Sequence, residues 1–196
     1  ATDQIVNEAA NWHYMFGGRS SVPVVIRPII NRGGEQACQH SQALHAWFAH
    51  VPGIKVVMPA SPYDAKGLLV SAVSDNNPVI YIDDRWLYQE MGHVPEELYE
   101  VPIGKAKVIK TGKDVTIVAL SWMVKLARQA QAELQKKGIS AEIIDLQTVK
   151  PLDTASILRS VKKTGRLVIA DSGWKNFGIS AEIAALAGES ALFSLK

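Results

Sequence analysis

One cysteine in 196 residues, Cys38, leaves nothing to build an internal disulfide. Folding must therefore rest on a buried core, and the chain fits a reducing compartment. Long apolar runs are also missing: no stretch could span a bilayer, and nothing reads as a signal peptide. Nor is there an excess of charge of one sign. Lys and Arg number 21 against 19 Asp and Glu, a formal net charge of +2, and the basic residues are scattered. That balance argues against nucleic acid as a partner and gives no basic face for a membrane surface. Short-period repeats and low-complexity segments are absent too. Cytoplasm or an organelle matrix is the expected location.

What is present is ordinary globular composition, 47% hydrophobic and 20% charged. The length is enough for one large core or two small ones. There is no initiator Met, ATDQIVNEAANWHYMF enters a helical pattern at once, and ISAEIAALAGESALFSLK stops on an apolar stretch with no closing element. The chain is expected to be a piece of a longer one.

Along the sequence, strand and helix patterns alternate. Thr2 is a plausible N-cap for a first helix and Gly17-Gly18 a natural end. VPVVIR (22–27) reads as a buried strand, because a β-branched run suits a sheet covered on both faces. A loop, NRGGEQ, leads to a histidine-bearing helix, and IKVVMP (54–59) is a strand. Ser61 as cap, Pro62 in the first turn and Asp64 near the positive end mark the next helix. NNP breaks the chain before the strand VIYID (79–83). Residues 84–101 lose the rhythm and read as a linker. Beyond it come the strand DVTIVAL (114–120), a helix from Val124 to Lys137 stopped by Gly138, and the strand AEIIDL (141–146). A helix capped by Asp153 and ended by Gly165, the strand RLVIAD (166–171) and a helix over Ile179 to Ala187 complete the pattern. Alternation of this kind implies α/β architecture with parallel strands joined by right-handed crossovers.

GGEQACQHSQALHAWFAHVPG, residues 33–53, spaces His40, His45 and His50 five apart. Five helical residues turn about 140° beyond a full circle, so on one helix the three rings point in different directions. Metal ligands on a helix want a spacing of three or four, so a three-histidine metal site is not expected. Leu44, Trp47, Phe48 and Val51 form the apolar stripe, which leaves His45 solvated and His50 near the helix's C-terminal end. His40 differs. Beside Ser41 as a possible cap, it follows a loop that leaves the carboxyl end of a strand, where open parallel sheets bind ligands. Pattern alone leaves it either a structural histidine or a site residue.

Other features read as structural. Gly33-Gly34 could cradle a phosphate, but lacks the G-x-G-x-x-G spacing and the Lys-Ser/Thr of a P-loop, so a tight turn is preferred. Asp83-Asp84-Arg85 reads as a local ion pair, and Cys38, with no adjacent base, as a small buried residue.

Several stretches together resemble one family: DQIVNEAANWHYMFGG, VPVVIR, QHSQALHAWFAHVPGIKVVMPASPYDAKGLL, NNPVIYID, VPIGKAKV, DVTIVA and GRLVIADSGW. They are similar, in order and over nearly the whole chain, to the beta subunit of the decarboxylating component of 2-oxo acid dehydrogenase complexes. That subunit is transketolase-like and thiamine-diphosphate-dependent. The resemblance implies the C-terminal part of a pyrimidine-binding domain over residues 1–83, a linker over 84–101, and an incomplete transketolase C-terminal domain over 102–196. It implies thiamine diphosphate with magnesium, shared with an alpha subunit in a heterotetramer that holds a second beta subunit and serves a lipoyl acyltransferase core. The family's pyrimidine-protonating glutamate and stacking aromatic lie upstream of QIVNEAA, so no cofactor-binding residue is assigned here. His40, in QHSQ, matches the family's active-site histidine, where an imidazole can stabilise developing charge or relay a proton. Main-chain carbonyls of Val24, Ala72, Val73, Asp75 and Asn77 match the family's structural potassium site.

The resemblance has one departure. The family runs glycine-rich and uncharged between Arg27 and His40, whereas this chain has PIINRGGEQAC. Ile29, Ile30, Arg32 and Glu35 put bulk and charge near the substrate entrance or the ion site, and DDRWLYQ also departs from the usual strand end. The expected activity is decarboxylation of a 2-oxo acid on thiamine diphosphate, with acyl transfer to a lipoyl carrier. Two alternatives stay open. One is half of a split transketolase, against which the scarcity of nearby arginines (Arg19, Arg27, Arg32) counts. The other is a non-catalytic oligomerisation or docking module.

Overall fold

VIY at 79–81 and AEIID at 141–145 are buried at every position. Strands without an exposed face need helices on both sides, and that requirement organises the molecule. The computed structural model describes residues 1–31 and 37–196. A π-helical turn, Gln4–Ala9, runs into α1 (Ala10–Met15). Then follow β1 (Val25–Ile26), β2 (Ile29–Ile30), α2 (Ala37–His40), α3 (His45–His50), β3 (Lys55–Val57), α4 (Pro62–Ser74), β4 (Val79–Tyr81) and β5 (Asp83–Asp84). The second half holds β6 (Lys107–Lys110), β7 (Val115–Ala119), α5 (Trp122–Lys136), β8 (Ala141–Asp145), β9 (Thr148–Lys150), α6 (Thr154–Thr164), β10 (Leu167–Ala170) and α7 (Ile179–Ala191).

Two four-stranded sheets result, ordered β1-β4-β3-β9 and β10-β7-β8-β6, with a short parallel pair β2-β5 beside the first. Most pairings are parallel, as the alternating pattern required. Two are not: β9 runs antiparallel to β3, and β6 antiparallel to β8. Both are strands the sequence pattern missed. Through β9 the second half lends a strand to the first sheet, with Val57 opposite Thr148. The Met58 N–H then donates to the Gln147 carbonyl at 2.9 Å.

Local signals set the helix ends. The Ser61 hydroxyl accepts the Asp64 N–H at 3.1 Å, and Asp153 accepts the Ser156 N–H at 3.1 Å. Capping of this sort contributes about 1 kcal/mol each. α6 stops at left-handed Gly165, whose N–H returns to the Val161 carbonyl. Thr2, by contrast, is not a cap, because the backbone is already helical there.

One apolar cluster runs through both halves. Val56, Met58, Ile80 and Ile82 from the first sheet meet Val118, Leu120, Ile144 and Leu146 from the second. Burial of each large side chain contributes roughly 1.5–3 kcal/mol, so the junction is a core and not a hinge. Alternate residues face the other way: Val57, Val79 and Tyr81 pack under α4 with Leu68, Ala72 and Val101. The segment after β5 is strapped to α4 as well. The Lys66 ammonium donates to the carbonyls of Pro95, Glu96 and Glu97 at 2.5, 3.0 and 2.9 Å, and the Val101 N–H donates to Gly67 O at 3.1 Å. Among the described residues no helix is long and apolar enough to cross a membrane.

Candidate functional site

Carboxyl ends of parallel strands gather several charged and phenolic side chains at one edge of the first sheet. β1 ends at Ile26 and β4 at Tyr81, and these neighbours carry Arg27 and Asp83 just beyond. The Arg27 guanidinium pairs with the Asp83 carboxylate at 2.5 Å and donates to the Tyr88 hydroxyl at 3.3 Å. Burial pushes the Asp83 carboxyl up, against the opposing charge of Arg27. Asp83 in turn raises Arg27, and burial followed by Asp83 raises the phenols of Tyr81 and Tyr88. Asp83 thus makes an ion pair across strands, with Arg27. Asp84 caps the 3-10 turn Arg85–Leu87 by accepting the Trp86 N–H, and Arg85 donates to Asn31 Oδ1 at 2.9 Å.

Asn31 ties this edge to the histidine segment, since its N–H donates to the His40 carbonyl at 2.8 Å. His40 closes the four-residue α2 and is exposed. Beside the edge, α4 and the Arg85–Leu87 turn bound a cavity of about 500 Å³. Its walls are mostly apolar, including Pro59, Leu69, Val70 and Leu87, and Arg27, Asp83 and Tyr88 are among its polar groups. His40 does not line it.

The histidine helix is two helices. Residues Ser41–Leu44 break the pattern, and α3 starts afresh with Leu44 as its N-cap residue. The expected faces are partly overturned, because Asp171, just past β10, packs against the side that His45 occupies. His45 is fully buried, whereas Leu44 and Trp47 are exposed. Phe48 is buried as expected. Ser41 caps nothing; its hydroxyl donates back to the Ala37 carbonyl at 3.0 Å. Cys38 is exposed, because all of α2 faces outward, which corrects the reading of a buried thiol. Gly33-Gly34, Arg32 and Glu35 lie outside the described residues. Ile29 is exposed and Ile30 buried.

The five positions matched to an ion site come together at the C-terminal end of α4. The Val22 N–H donates to Asn76 O at 3.1 Å and the Val24 carbonyl accepts from Val79, so 22–24 lies against the turn after the helix. Ala72 O accepts the Asp75 N–H at 3.4 Å. The Asp75 side chain is engaged by the Lys55 ammonium and by the Asn77 backbone and side-chain amides. Those bonds outweigh burial and hold its carboxyl below the ordinary value. Val73, largely exposed, belongs to the helix end whose carbonyls carry partial negative charge.

Residues 2–90 match the family described as transketolase, pyrimidine binding domain, and residues 104–196 match transketolase, C-terminal domain. The chain belongs to the transketolase-like family. Among curated relatives, the subunit beta of acetoin:2,6-dichlorophenolindophenol oxidoreductase from Cupriavidus necator is 48% identical over 194 residues, 99% of this chain and 57% of that protein. The pyruvate dehydrogenase E1 component subunit beta of Rickettsia felis is 48% identical over 186 residues, 95% of this chain and 57% of that one. A solved structure titled split gene transketolase, inactive beta4 tetramer, superposes with TM-score 0.80 at 26% identity, over 97% of this chain and 58% of that chain. The chain thus spans somewhat over half the length of the relatives it matches.

Within a transketolase-like framework the edge carrying Arg27, Asn31, His40 and Asp83 belongs to the pyrimidine-binding domain. His40 lies at this edge as expected, while Asn31 and Tyr88 carried no role in the sequence reading and the Arg27–Asp83 pair was not foreseen. The signal existed: Arg27 and Asp83 follow two strands, VPVVIR and VIYID, that a parallel sheet can place side by side. Nothing in the sequence announced His45, whose partner, Asp171, is supplied by the C-terminal domain.

Proposed function

We propose that this chain is the beta-subunit part of a thiamine-diphosphate-dependent dehydrogenase that acts on a 2-oxo acid or on the related hydroxyketone acetoin. The observation that carries the reading is His40. An exposed imidazole at the carboxyl edge of the pyrimidine-binding domain's sheet sits in a chain nearly half identical to beta subunits named for both substrates. Thiamine diphosphate supplies, when bound, the electron sink for cleavage beside a carbonyl. The chain's own contribution is orientation and proton movement, and both fall to His40. Arg27, Asp83 and Tyr88 fix the edge beneath it.

Among the described residues no cluster of three or more His, Cys, Asp or Glu could hold a metal ion. As the resemblance implies, magnesium and the cofactor's diphosphate are assigned to an alpha subunit, with a second beta subunit and a lipoyl acyltransferase core completing the assembly in cytoplasm or organelle matrix. The main-chain oxygens of Val24, Ala72, Val73, Asp75 and Asn77 are assigned a structural potassium ion, which such hard neutral donors suit.

The test is a competition assay on the complete protein with its alpha subunit, thiamine diphosphate and magnesium, following dichlorophenolindophenol reduction with acetoin and pyruvate, and carbon transfer from a ketose phosphate. Turnover of acetoin or pyruvate supports the reading. Activity on the ketose phosphate alone would replace it with a split transketolase, and activity on none would leave a docking module.

A further inference from the structure

Five residues beyond His40 the chain buries a second imidazole, and the group that meets it comes from the other domain. His45 on α3 is 0% exposed, and its Nε2 stands 3.0 Å from Oδ1 of Asp171, whose side chain is 3% exposed just past β10. The two groups are in close contact without the alignment of a directed hydrogen bond. The carboxylate is oriented by the Gly173 N–H, 2.9 Å from Oδ1, and by the Ser172 N–H. Burial alone would raise the Asp171 carboxyl, but the His45 ring and these N–H groups hold it below its ordinary value. Gly173 also makes the room. A Cβ there would lie 2.8 Å from His45 Cε1 and 3.2 Å from Asp171 Oδ2.

The same helix is gripped at its other end. The Lys150 ammonium, on β9, donates to the Ala49 and Val51 carbonyls at 2.8 and 2.9 Å, satisfying oxygens that a helix terminus leaves without intrahelical partners. Upstream, the His40 carbonyl is held by Asn31. Residues 40 to 51 are therefore fixed at three places, two of them by the C-terminal domain. Only Ser41 to Leu44 separate His40 from the buried pair, so a shift of α3 passes directly to the exposed ring.

We propose that His45 and Asp171 are positioning residues, an interdomain clamp that sets the placement of His40. The proposal rests on the reading of His40 as the acting imidazole. The clamp touches no substrate; it acts through the segment it holds. A residue that orients an active group in this way commonly costs tenfold to a hundredfold when altered, and a misplacement of about 1 Å can have the same effect.

Two measurements test it. In the complete two-subunit enzyme, Asp171→Asn and His45→Ala should lower kcat at least tenfold on the order of such orienting groups, with KM changed less than about threefold. His45→Gln, which keeps a donor near Nε2, should recover most of the loss. In the 196-residue chain, amide exchange at Asn31, Ser41, Trp47 and Phe48 should be about tenfold faster in Asp171→Asn than in wild type. His45→Ala turning over within twofold of wild type would overturn the proposal. So would equal losses in His45→Ala and His45→Gln that merely follow their melting temperatures. Wild-type enzyme inert toward acetoin and every 2-oxo acid would defeat the functional reading instead, and the exchange rates would still decide whether the clamp exists.

Discussion

Asp145 should make this protein less stable as pH rises through neutrality, the reverse of most carboxylates. Its carboxyl, 1% exposed at the end of β8, is pushed up to about 7 by burial and then by the neighbouring charge of Asp64, itself 3% exposed. The Gln147 N–H and the charges of Lys107 and Arg128 oppose the rise without cancelling it. A free aspartate titrates near 3.9, so the folded state holds the proton more tightly than the unfolded chain. The contribution is therefore fully present below about pH 4 and is lost as pH climbs through 7. A gap of about three pH units, at about 1.4 kcal/mol each, gives about 4 kcal/mol. For a chain of this length that is roughly 10 °C in melting temperature. Asp83, also raised, acts in the same sense. The lowered carboxyls Asp75, Glu142, Asp153 and Asp171 act in the opposite one, but below about pH 4. Asp145→Asn keeps the acceptor for the Gln147 N–H and removes the charge. Thermal unfolding at pH 5, 6.5 and 8 should show the substitution stabilising at pH 8 by a few kcal/mol and nearly neutral at pH 5, with a flatter profile than wild type. Destabilisation at pH 8, or an unchanged slope, would refute the reasoning.

Gly53 sits at φ +82°, and a Cβ there would stand 2.0 Å from the Ala10 carbonyl oxygen; Gly53→Ala should cost about 3 kcal/mol or more in urea denaturation. The Thr116 hydroxyl bonds both Ser160 and Thr164 inside the C-terminal domain, at 2.7 and 2.8 Å, so Thr116→Val should cost about 1–3 kcal/mol by the same measurement. Cys38 is exposed on α2; native protein should react with one equivalent of Ellman's reagent without denaturant, and a thiol that reacts only in urea would contradict its placement.

Legibility in the sequence followed locality. β4, β7 and β8 were readable because strands buried on both faces are continuous β-branched runs. α4 and α6 announced themselves through Ser61 and Asp153. β9 was not readable: its three residues pair with β3, some ninety positions away, and no local pattern records such a partner. β6 was lost for another reason, since an edge strand with mostly exposed residues such as Lys107 and Lys110 carries no apolar signal. His40 was found through the company it keeps in QHSQ. His45 was misjudged because its burial comes from Asp171, far along the chain, and no local pattern of apolar residues records such a partner. Arg27 and Asp83 were each visible, but their pairing is a property of strand order.

The central claim is that His40 acts on the substrate of a thiamine-dependent enzyme. Its most direct test is the turnover of His40→Ala in the complete two-subunit protein, with thiamine diphosphate binding and melting temperature measured alongside. Loss of kcat by roughly a hundredfold, the scale of a positioned acid–base group, with binding and stability intact, is the predicted result. Turnover within twofold of wild type would contradict the account.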